Sequence, residues 1–212
     1  MNVHFAEFLE YFSPQLDPIL PPQTRLKDFK GNIPTALIDF WAKAGWSGYA
    51  EGIFWSTDPA EFSPVVEAWL GDSALLKHDL YSVVARSAFG KLFLWGKESG
   101  MSLIIDPHFS SITTVESNFK NVSADAQISG FFLSSAKDDF DCEDIKDKPL
   151  FRRALKKLGP RKSDEMYGFT PALGLGGAAK LGNLTKEKIV PHLVLLSQIS
   201  EIEFTHLNLR DN

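Results

Sequence analysis

Apolar residues recur along this 212-residue chain with two different periods, and the change of period divides it. Phe5, Phe8, Leu9 and Phe12 fall at i, i+3, i+4 and i+7, the apolar stripe of a short helix. The following SPQLDPILPPQ is rich enough in proline to predict an extended connector. Pro34 suits a helix start, and Leu37, Ile38, Phe40 and Trp41 give that helix a broad buried face up to Gly45. YAEGIFWSTD predicts a strand interrupted at its glycine. PAEFSPVVEAWLG returns to helical spacing and stops at Gly71.

From residue 80 the period shortens to that of strands. LYSVVARS, GKLFLWGK, MSLIIDP and SSITTVE are β-branched or aromatic runs separated by Gly, Ser, Asp and Pro. Their connections are too short for crossover helices, so an antiparallel meander is expected. Ser123 is a candidate N-cap for a helix reaching Phe132. Beyond the acidic AKDDFDCEDIKDKP, LFRRALKKLGP places Phe151, Leu155 and Leu158 on one helical face ended by Gly159 and Pro160. DEMYGFTPALGLGGAAKLGN is glycine-rich with some strand character. TKEKIVPHLVLLSQI predicts a final helix opened by Thr185, with a kink or a later start at Pro191. The predicted class is α+β: a central antiparallel sheet with flanking helices, followed by a small mixed α/β C-terminal module. Composition places the module boundaries at 1–137 and 148–212, with an acidic linker at 138–147.

With 17 Phe and 5 Trp, the chain has ample material for a core, which excludes a disordered or fibrous polypeptide. No apolar run approaches the ~20 residues that span a bilayer. MNVHFAEFLEYF lacks the basic and unbroken apolar regions of a secretory signal. Cys142 is the single cysteine, so no internal disulfide forms and a reducing, cytoplasmic setting is expected. The net charge of −5 is unevenly spread. Up to Asp147 there are 21 acidic and 11 basic residues; from Lys148 on there are 6 acidic and 11 basic. Two modules and charged partners fit that asymmetry.

Little in the chain points to catalysis. TPALGLGGAAKLGN, with Gly174, Gly176, Gly177 and Gly182, resembles a phosphate-cradling loop. It lacks the G-x-G-x-x-G order, because position 179 is Ala, and Leu181 follows Lys180 where a P-loop needs Ser or Thr. A loop in which glycine permits close backbone packing is the better reading, so no cofactor is expected. His4, His78, His108, His192 and His206 have no ligand-pair spacing, and one cysteine cannot build a zinc site, so no metal is expected. No serine occupies a G-x-S-x-G elbow. Cys142 lies among Asp141, Glu143 and Asp144, whose charges disfavour a thiolate. No catalytic residue is assigned, and the chain is read as a non-enzyme.

Two charged features remain. Asp138, Asp139, Asp141, Glu143, Asp144 and Asp147 crowd one short stretch, which reads either as a solvated linker or as a docking strip for a basic partner. Arg152, Arg153, Lys156 and Lys157, with Arg161 and Lys162 after them, form a basic helical face that could touch nucleic acid. The acidic balance of the whole chain and the preference of helix C-termini for cations argue for the plainer reading.

Two stretches together resemble a bacterial family. HFAEFLEYF leading to IPTALIDFWAKAGWSGYAEGIFWSTDPAEFSPVVEAWL resembles the start of a GAD-like domain. L-F-x-x-A-x-x-x-L-G followed by D-E-x-Y-G-F-x-P-A-L-x-L-G-G, spanning Leu150 to Gly177, is similar to the C-terminal domain of type VI secretion immunity proteins. The resemblance implies that GFTPALGLGG belongs to the domain's own fold. It also implies a cytoplasmic antitoxin that binds a cognate effector toxin, typically a DNase, and blocks it. An inhibitor of a DNase can imitate DNA with carboxylates, so Asp138, Asp139, Asp141, Glu143 and Asp144 are the candidate contacts. Trp46 and Trp55, with Trp69 beside them, are candidate aromatic anchors, although tryptophans are core residues more often than anchors. The alternative is a regulatory or nucleic-acid-binding module without a toxin partner.

Overall fold

The computed structural model describes residues 2–71, 73–116 and 122–208, with Glu116 and Asn208 described by backbone alone. Helix α1 (Val3–Tyr11) opens the chain, its first turn capped by the Asn2 side chain, which accepts from the His4 amide. Strand β1 (Gln15–Ile19), helices α2 (Gln23–Asp28) and α3 (Thr35–Ala44), and strands β2 (Trp46–Tyr49) and β3 (Phe54–Ser56) follow. Helices α4 (Ser63–Leu70) and α5 (Leu75–His78) lead into β4 (Tyr81–Ser87), β5 (Leu92–Gly96), β6 (Gly100–Asp106) and β7 (Ser111–Glu116). The remainder comprises α6 (Ala124–Ser134), α7 (Phe151–Leu158), β8 (Glu165–Phe169), β9 (Leu184–Lys188), α8 (Ile189–Leu196) and β10 (Glu203–Asn208).

Among the described residues the large sheet runs β1-β2-β3-β4-β5-β6-β7-β10, and β8 pairs with β9 in a small second sheet. The fold is α+β with a mostly antiparallel central sheet, as the strand spacing predicts. Three departures from the sequence reading have simple causes. SPQLDPILPPQ contains an edge strand, β1, antiparallel to β2, because a strand paired on one side tolerates proline. TKEK is not helix: Thr185 pairs with Gly168 across the β8–β9 ladder, and α8 begins at Ile189. Pro191 then lies in the first turn, where no amide is required. Finally β10 joins β7 in parallel, a pairing its sequence does not announce.

Both faces of the sheet are covered, which is why LFLWG is buried at every position. On one face α1, α3 and α6 supply Phe5, Phe8, Phe12, Phe40 and Phe132 to an aromatic core. Phe5 stacks on Phe40 at 4.5 Å, and Phe54 meets Phe140 edge-on at 4.8 Å. On the other face α4 and α8 bring Val65, Trp69, Leu193 and Leu196 against Leu92, Leu94, Leu103 and Ile105. The C-terminal segment enters both cores, through Tyr167, Phe169 and Leu184 on one side and Met166 and Ile189 on the other.

Candidate partner-binding cleft

One end of the sheet forms the platform. The β4–β5 hairpin carries Ser87, Phe89 and Lys91, and the β6–β7 turn carries Asp106, His108 and Phe109. Against them lies the acidic segment after α6, and the two enclose a cleft of about 430 Å³. Asp106, Asp138, Asp141 and Glu143 line it together with Cys142, His108, Phe109 and Lys91. The sheet ladder fixes this pairing of parts, since Leu92 opposes Ile105 and so places Lys91 beside Asp106. Lys91 Nζ lies 3.6 Å from the Asp106 carboxylate.

The acidic segment is a built structure. Asp139 accepts from the Ala136 amide at 2.8 Å, closing a 3-10 turn over Lys137–Phe140. One Asp141 carboxylate oxygen accepts from the amides of Cys142, Leu150 and Phe151 at 2.7, 3.1 and 2.8 Å. Asp144 accepts from the amides of Lys146 and Lys148 and from Arg153 at 2.7 Å. Burial pushes the Asp141 carboxyl up despite those amides, whereas the Arg153 hydrogen bond holds Asp144 below the usual carboxylate range. Asp138 and Glu143 are exposed on the frame so made, and both line the cleft. Burial raises Asp106 as well, with Lys91 pulling the other way. The Cys142 thiol is pushed up to about 12 by burial and by the neighbouring carboxylates, so it stays protonated.

The tryptophans take a different place. Trp55 is 1% exposed, donates from Nε1 to the Gly52 carbonyl at 2.8 Å, and lies under the Arg86 guanidinium. Trp46 is buried against Trp41, and Trp69 donates to the Leu193 carbonyl at 3.0 Å. All three fill the core, because the helices close over both faces of the sheet that carries or touches them.

The basic helix is largely committed to its own protein. Arg152 pairs with Glu51, Arg153 with Asp144, and Lys157 donates to the Leu181 carbonyl at 2.9 Å. Arg161, which the sequence suggests as surface charge, is buried over the Tyr167 ring at 3.9 Å and donates to the Gly52 carbonyl. The glycine loop is likewise self-contained. The amides of Leu175 and Gly177 bond the Ala172 carbonyl, and that of Gly176 bonds Leu173. A Cβ on Gly177 would lie 2.0 Å from the Pro171 carbonyl oxygen. The loop leads through a single 3-10 turn, Leu181–Asn183, into β9, so no α-helix N-terminus follows it to receive a phosphate.

The motif residues at the C-terminal end act as a clasp: Leu150, Phe151 and Ala154 are buried, and Tyr167 Oη donates to the Gly159 carbonyl at 2.7 Å. A family model described as "GAD-like domain" matches residues 3–108. The chain belongs to the GAD-like family. A second model, "T6SS immunity protein Tdi1, C-terminal", matches residues 125–200 and indicates a type VI secretion immunity protein. The platform of the cleft thus lies in the GAD-like domain up to His108, and its acidic wall in the segment matched by the immunity-protein model. This GAD-like chain is similar in fold to the crystal structure of Atu4351 from Agrobacterium tumefaciens. The TM-score is 0.84 at 22% identity, over 95% of this chain and 92% of that one. A comparison with curated proteins gives no match. Among the described residues no helix is long and apolar enough to cross a membrane.

Of the cleft, Asp138, Asp141 and Glu143 are visible in the sequence as an acidic run; Asp106, Lys91 and Phe109 are not. Lys91 and Asp106 sit alone at strand ends and Phe109 in the β6–β7 turn, and only the sheet register brings them to the acidic segment.

Proposed function

We propose that this GAD-like protein is a cytoplasmic antitoxin that neutralises a cognate type VI effector by stoichiometric contact, and that the effector is a DNase. The observation that carries the reading is the display of Asp138 and Glu143 on a frame fixed by Asp139, Asp141 and Asp144. A DNase binds phosphates through basic groups, and carboxylates held in place reproduce that charge without a phosphodiester to cut. The acidic excess before Lys148 would also speed encounter with such a basic surface. No catalytic step is assigned to the chain, which would act by occupying its partner.

The test is co-purification of the protein with a catalytically inactive copy of the adjacent gene's product. A stable one-to-one complex that suppresses DNA cleavage by the active copy is expected. Recovery of nothing, or of nucleic acid alone, would overturn the reading.

A further inference from the structure

We draw no further inference here: the strongest candidate, the apolar groove between α6 and strands β6 and β7 lined by Phe93, Met101, Ile104, Val115 and Phe131, carries nothing because nothing in the structure shows what covers it.

Discussion

Asp138 and Asp141 stand three residues apart in one acidic run, yet they do opposite things. Asp138 is exposed at the cleft, while Asp141 is half-buried and holds three backbone amides. Replacing Asp138 and Glu143 together with Lys should leave thermal stability near wild type and slow effector association about tenfold at low salt. The salt dependence of the on-rate should flatten as well, read by stopped-flow. Unchanged rates would remove these two residues from the interface. Asp141→Ala should instead cost about 2 kcal/mol in urea denaturation, because buried amides lose a charged acceptor. A fully stable Asp141→Ala would show that the frame is held by other means. His108 adds a pH dependence. Its folded pKa, near 4, lies below the unfolded value of about 6.5, so its contribution is complete above the unfolded value and is lost as pH falls toward 4. The loss is on the order of 3 kcal/mol, with His192 shifted the same way by burial. A His108 ring that titrates by NMR near 6.5 would contradict this.

At the scale of elements, the residues that made the glycine loop look like a phosphate cradle have separate structural duties. Gly176 has φ +81°, a left-handed conformation that closes the 3-10 turn, and Gly177 packs against the Pro171 carbonyl. Gly182 has open space around it. Gly177→Ala should therefore destabilise by about 2 kcal/mol or more, whereas Gly182→Ala should stay within about 0.5 kcal/mol. Equal thermal shifts for the two would refute the packing account. Strongly periodic elements were legible in sequence: α1 through Phe5, Phe8 and Phe12, and β5 through its unbroken apolar run. β9 was not, because TKEK has good helical residues and becomes strand only by pairing with β8. β1 was hidden by its proline, and β10 by a partner 92 residues away.

For the whole molecule, what matters is that the C-terminal segment contributes to both cores. Met166, Ile189, Leu193 and Leu196 cover one face of the sheet, and Tyr167, Phe169 and Leu184 cover part of the other. Two buried guanidiniums add to the join: Arg86 donates to the Ser163 carbonyl at 2.7 Å and Arg161 to that of Gly52 at 2.8 Å. The full chain should unfold in one cooperative transition, with calorimetric and van't Hoff enthalpies equal. A chain ended at Asp147 should fail to reach that state. Two separable transitions would sink this expectation and make the acidic segment a true linker between independent domains.

The sequence alone determined the secondary-structure types wherever burial repeats with a fixed period, and it carried both family resemblances, GAD-like through IPTALIDFWAKAGW and immunity-type through the L-F-x-x-A and Y-G-F-x-P-A-L motifs, because these are local patterns of core and turn residues. It also showed an acidic run and a basic helix. Which charges were free to meet a partner was decided by tertiary structure. Charges act through space, so Arg153 and Asp144, nine residues apart, neutralise each other, and Arg161 disappears beneath Tyr167. The cleft itself arose the same way: strand register set Asp106 and His108 against Asp138 and Glu143, a neighbourhood that no stretch of sequence contains.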